Sequence, residues 1–151
     1  MRTHRLGKTG LYVSELCLGT MTYGGKGFWE VIGKLGIDAV AGQLRTALDA
    51  GVNFLDTADV YHEGESERLV GEALRRLGVR RSDLVIATKV RGRVGKGVND
   101  AGLSRGHILD AIDQSLGRLG LIIPRTSSAR RVADLERSVL SWAETHRVRT
   151  V

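Results

Sequence analysis

Apolar residues recur along this chain with two periods, and the places where the period changes mark its elements. Val40, Leu44, Ala47 and Leu48 lie three or four apart and stop at Gly51, the spacing of one buried helix face ended by glycine. Leu69-Val70, Ala73-Leu74 and Leu77 repeat the pattern over 67–77. Ile108, Ala111-Ile112, Ser115-Leu116 and Leu119 repeat it behind Ser104, a helix-capping residue type. Between the helical stretches lie strand-like runs at 15–19, at 53–58 and at 84–90; the last is continuously apolar, as in a strand covered on both faces. Leu6 and Leu11-Tyr12-Val13 flank Lys8-Thr9-Gly10, which predicts a β-hairpin with glycine in its turn. Residues 24–36 are glycine-rich and weakly patterned, a loop with a short helix near 28–32. After Gly120, Leu121-Ile122-Ile123-Pro124 predicts a short strand, and Val132, Leu135, Val139 and Trp142 a last helix.

Strand followed by helix, three times in succession, requires parallel strands joined by helical crossovers, so the fold is an α/β layer or barrel. At 151 residues, with 42% apolar and 26% charged residues, the chain is expected to form one domain with a sizeable core. The lone Cys17, in Ser14-Glu15-Leu16-Cys17-Leu18-Gly19, excludes an internal disulfide and predicts a packed core thiol in a reducing cytoplasm. The basic start Met1-Arg2-Thr3-His4-Arg5 is not followed by an apolar export segment, and no apolar run approaches membrane-spanning length.

A net charge of +6 raises the question of nucleic acid. The arginines, however, fall in scattered pairs (Arg75/Arg76, Arg80/Arg81, Arg130/Arg131), and aromatics make up only 5% of the chain. A solvated basic face is the expected reading, with no nucleic-acid partner and no membrane. Two glycine-rich stretches miss known phosphate-binding patterns. Gly27 stands where a P-loop needs Ser or Thr, and 92–97 has its glycines in the wrong order for a dinucleotide fingerprint.

In barrels and open α/β sheets, functional side chains gather at the carboxyl ends of strands. Asp56 and Tyr61 follow the second predicted strand, and Lys89 ends the third. A lysine at the end of an apolar strand needs a carboxylate, and Asp56 is the partner at hand. Beside Tyr61, the lysine would favour the phenolate and lower the tyrosine from about 10 towards neutrality, as a proton donor to a developing alkoxide requires. Taken singly, Tyr61 reads as a rim tyrosine and Lys89 as an ordinary strand-end charge.

The segment Asn53-Phe54-Leu55-Asp56-Thr57-Ala58-Asp59-Val60-Tyr61 resembles the aldo-keto reductase signature around its catalytic aspartate and tyrosine. Arg5-Leu6-Gly7-Lys8-Thr9-Gly10-Leu11, Val13-Ser14-Glu15-Leu16-Cys17-Leu18-Gly19-Thr20-Met21, Ser66-Glu67, Gly71-Glu72-Ala73-Leu74 and Ile86-Ala87-Thr88-Lys89-Val90 are similar to further blocks of that family in the same order. The resemblance covers about residues 4–120. It implies a TIM (β/α)8-barrel type of fold and NADPH-dependent reduction of a small-molecule aldehyde or ketone. Asp56 would be the ion-pair partner, Tyr61 the general acid and Lys89 the cation that tunes it, with Gly19, Thr20, Met21 and Asp56 against the cofactor.

Two departures follow. The family's catalytic histidine on the next strand has no counterpart where Leu121-Ile122-Ile123-Pro124-Arg125 follows Leu119-Gly120, and neither His62 nor His107 matches its position. The Ser-Asn pair that would hold the nicotinamide is also absent. Ile123-Pro124-Arg125-Thr126, with Arg131, Ala133 and Asp134, resembles the family's late motif around the adenosine 2′-phosphate, with Leu135 where the family has asparagine. Arg125, Thr126 and Arg131 would then bind phosphate, or else mark a plain arginine-rich helix start. Together these imply an incomplete barrel: an N-terminal hairpin and the first three β/α units over 1–120, then a final strand-helix unit over 121–151, one partial domain in all. Its unpaired sheet edges would invite self-association. Besides the reductase, a catalytically impaired or merely cofactor-binding member of the family remains open, as does, more distantly, a basic nucleic-acid-binding domain.

Overall fold

The computed structural model describes residues 1–121; the helix expected over 132–142, and Arg125, Thr126 and Arg131, lie outside the described residues, as does the predicted strand beyond Leu121. The expected hairpin is formed by β1 (Thr3–Arg5) and β2 (Tyr12–Ser14), paired antiparallel with His4 opposite Val13. Its turn is closed by the Leu6 N–H on the Leu11 carbonyl at 2.8 Å, and Gly10 takes φ 81, which a side chain would strain. Asn53 stitches the hairpin to the rest of the molecule. Its Oδ1 accepts from the Ser14 N–H at 2.6 Å, its Nδ2 donates to the Tyr12 carbonyl at 3.2 Å, and its own N–H donates to the Ser14 hydroxyl at 3.1 Å.

Strands β3 (Leu18–Gly19), β4 (Phe54–Asp56) and β5 (Val85–Ala87) form a parallel sheet in the order β3-β4-β5. Each is followed by a helix: α1 (Ile37–Asp49), α2 (Glu65–Arg76) and α3 (Arg105–Arg118). Strands that neighbour one another in chain order, with no reversal, follow the sequence of staves in a barrel; a doubly wound sheet reverses its order. The described residues make three such units and no closed barrel. Ser104 caps α3 as expected, its hydroxyl accepting from the His107 N–H at 3.2 Å. The expected short helix in the glycine-rich loop is a single 3-10 stretch, Gly27–Val31.

The core lies between the sheet and its helices. Val40 and Leu44 of α1, Leu55 of β4, Leu69, Val70, Ala73 and Leu74 of α2, with Tyr23, Leu84 and Leu119, form one buried cluster. Two expectations are corrected by the alternation of side chains along a strand. Cys17, expected in the core, is exposed: Leu18 beside it packs on the cluster, which turns Cys17 to the opposite side. The run 84–90 was expected to be covered on both faces; β5 is shorter and half-buried, with Ile86 against the cluster and Val85 and Ala87 facing the other way. No helix among the described residues is long and apolar enough to cross a membrane. Nor does any group of three or more His, Cys, Asp or Glu among them form a metal site.

Candidate active site

Asp56 ends β4 and Ala87 ends β5, and the two are partners in register, so both loops leave the sheet at the same end. Backbone bonds carry the pairing past the strands: the Thr57 N–H donates to the Ala87 carbonyl at 2.9 Å and the Asp59 N–H to the Lys89 carbonyl at 3.2 Å. Lys89 is thereby set across from Asp56 and Tyr61. Its ammonium donates to Asp56 Oδ2 at 2.7 Å, to the Thr57 carbonyl at 2.8 Å and to the Tyr61 hydroxyl oxygen at 3.2 Å. Three acceptors use all three ammonium protons. The Tyr61 hydroxyl, accepting from Lys89, keeps its own proton to give elsewhere.

Burial pulls the Lys89 ammonium down, but its hydrogen bonds to Asp56 and Tyr61 and their charges outweigh that, and the net shift is upward from the ordinary lysine value. Lys89 therefore keeps its charge. The pair is open to solvent, with side chains 49% and 36% exposed, so its worth lies in geometry more than in stability. Tyr61 is half-buried, and the edge of Trp29 meets its ring at 5.4 Å.

The β3 side borders the same end, since Gly19 is the register partner of Asp56. A side chain at Gly19 would meet nothing within 4 Å, and Met21 is exposed. Thr20, the third of these β3-side residues, is fully buried, and its hydroxyl is bonded to the Ser66 hydroxyl at 2.9 Å, so it secures the loop to α2.

Behind the lysine lies a buried polar cluster. Glu67 of α2, fully buried, accepts from Arg118 Nε of α3 at 2.6 Å and from the Thr88 hydroxyl at 2.7 Å. Asp59 is 3% exposed and its Oδ2 has no partner. Burial and then Glu67 push its carboxyl up, more than Arg118, the Val60 N–H and His107 pull it down. His107 Nε2 is likewise buried without a partner, and His62, next to Tyr61 in the chain, is wholly buried against the loop of Met21 and Lys26.

The sequence reading missed Trp29 as a neighbour of Tyr61, and it missed the Glu67–Arg118 pair. The second had a signal: Arg118 lies three residues beyond Ser115 on the inward face of α3, and Glu67 three before Val70 on that of α2.

Residues 15–122 match the family model described as "Aldo/keto reductase family". The chain is 42% identical over 122 residues to a protein of Oryza sativa subsp. japonica named "Probable voltage-gated potassium channel subunit beta", covering 80% of this chain and 34% of that protein. A protein of Arabidopsis thaliana with the same name is 43% identical over 122 residues, with the same shares covered. Among solved structures, the holo form of an aldo-keto reductase from Bacillus halodurans matches with a TM-score of 0.61 and 34% identity, covering 80% of this chain and 37% of that one. The chain thus spans about a third of the length of the curated relatives it matches.

Proposed function

Because the chain belongs to the aldo/keto reductase family, we propose that it takes part in the NADPH-dependent reduction of a small aldehyde or ketone to an alcohol, in the cytoplasm, with Tyr61 as general acid. The observation that carries this reading is the contact of Lys89 with Asp56 and Tyr61 at 2.7 and 3.2 Å. A carbonyl oxygen that gains negative charge as it is reduced needs a positioned proton donor and a fixed cation beside it. Tyr61 supplies the proton, Lys89 the charge, and Asp56 holds the lysine in place.

NADPH, when bound, supplies the hydride. The residues present suit such a group: the open approach at Gly19, the exposed Met21 and the Asp56 carboxylate share one end of the sheet. Arg125, Thr126 and Arg131 are the residues proposed to take the 2′-phosphate, by the bidentate donors of arginine. Thr20 holds the cofactor-side loop through Ser66.

A fluorescence titration with NADPH and NADH, followed by a carbonyl-dependent oxidation assay, tests the reading. Saturable binding that prefers NADPH is expected, with turnover that falls by about 10²–10⁴-fold in Tyr61→Phe, the usual worth of a general acid. Turnover unchanged in that variant removes Tyr61 from the role. Preferential NADPH binding with no turnover would instead support a second reading, a cofactor-binding member without catalysis, which the burial of His62 and His107 favours.

A further inference from the structure

We propose that His62 is a positioning residue that ties the loop over 20–27 to the loop carrying Tyr61. The imidazole has no exposure to solvent and uses both nitrogens on the neighbouring loop. Nε2 lies 2.9 Å from the Met21 carbonyl oxygen, and Nδ1 accepts from the Lys26 N–H at 3.4 Å. One neutral tautomer serves both: the proton on Nε2 points at the carbonyl and the lone pair of Nδ1 at the amide.

Independent features converge on this contact. Gly24 has φ 126, and a Cβ there would stand 2.7 Å from His62 Cβ and Cγ, so the loop can close over the imidazole only with glycine at that position. His62 and Glu63 both take left-handed backbone, φ 50 and 59, just ahead of Gly64 at φ 82. That conformation is unfavourable for side-chain-bearing residues and turns the imidazole inward, beneath the loop. Trp29 then packs on both rings, 6.0 Å from His62 and 5.4 Å from Tyr61. A second tie joins Lys26 Nζ to Glu65 at 3.1 Å. His62 thus ties the backbone at Met21 and Lys26, on the cofactor side, to the loop that carries Tyr61, the residue directly before it. The cofactor half of this inference rests on the function proposed above.

The test compares His62→Leu, which fills the space without hydrogen bonds, with His62→Gln, whose amide both donates and accepts. It uses the full chain and two readouts: hydrogen exchange of the Lys26 amide by NMR, and the Kd and KM for NADPH beside kcat. In His62→Leu the Lys26 amide is expected to lose about tenfold in protection and NADPH binding to weaken about tenfold, as for one lost hydrogen-bonded tie, with kcat changed less. His62→Gln is expected to restore both. Equal protection and equal binding in wild type and His62→Leu would overturn the proposal, leaving the imidazole as mere filler. So would a His62→Gln that behaves like the leucine variant. If the wild type binds no NADPH, the proposed function fails, and the exchange of the Lys26 amide alone still decides whether His62 holds the loop.

Discussion

Lys89 joins side chains that stand 33 and 28 residues away in the chain, and its charge is what they have in common. Because its folded pKa is raised, the stabilisation it gives is fully present below the ordinary lysine value of about 10.4 and is lost as pH rises through the folded value. Lys89→Met is therefore expected to lower the urea midpoint by a constant small amount through neutral pH. The gap to wild type should narrow above about pH 10.4. A gap that stays level to the highest pH tolerated would show that the charge contributes nothing to folding. At this scale the sequence named Asp56, Tyr61 and Lys89 because motif residues are local in the chain. It placed Cys17 in the core, since an apolar run does not say which residues face which side, and it could not see that the Thr20 hydroxyl is taken by Ser66, 46 residues on.

Helices α2 and α3 are joined by a contact whose two members the helical spacing places on inward faces but does not pair. Glu67 is fully buried against Arg118 and Thr88, and at Gly71 the backbone of Leu119 comes so near that a Cβ has no room. Removing one partner of a buried pair strands the other charge, at a cost of about 3–5 kcal/mol, far above the roughly 0–1 kcal/mol of a surface pair. Arg118→Ala should lose about that much in a urea titration. Glu67→Met with Arg118→Met should recover most of it, because an apolar pair of similar size leaves no charge behind. A loss below about 1 kcal/mol in Arg118→Ala would place the pair among surface contacts. The helices themselves were legible from their three- and four-residue spacing, and their limits fell close to the expected ones: α2 begins at Glu65, just ahead of the expected 67, because left-handed Gly64 sets its start. The strands were read too long: β3, β4 and β5 span Leu18–Gly19, Phe54–Asp56 and Val85–Ala87 within the expected 15–19, 53–58 and 84–90, because residue type does not mark where inter-strand pairing begins and ends.

For the whole molecule the net charge is +6, and several of the basic side chains among the described residues are held in ion pairs. Arg2 pairs with Glu15, Lys26 and Arg68 with Glu65, Lys34 with Glu30, Arg76 with Asp38 and Glu72, Arg80 with Asp83, and Arg118 with Glu67. These pairs are spread over hairpin, loops and helices of the described residues, and each sets a carboxylate against a positive charge that would otherwise face a phosphate backbone. Fluorescence anisotropy with labelled duplex DNA or single-stranded RNA, at about 0.15 M salt, is expected to show no saturable binding tighter than the roughly 10⁻⁴–10⁻⁶ M of nonspecific charge attraction. Tighter binding, weakening steeply with salt, would revive a nucleic-acid role.

The sequence alone determined the order of elements among the described residues, the parallel strand-helix alternation and which residues were candidates for the site, because periodicity, turn glycines and short motifs act over a few neighbouring positions. Tertiary structure alone decided which of those residues meet. The register of Asp56 with Ala87 brings Lys89 to Tyr61, and the left-handed turn at His62 sends its ring under the loop beside Met21. It also decided that Glu67 and Arg118, 51 residues apart, share one buried site. Such contacts depend on how strands align and helices pack across long separations, where no local pattern in the chain records the partner.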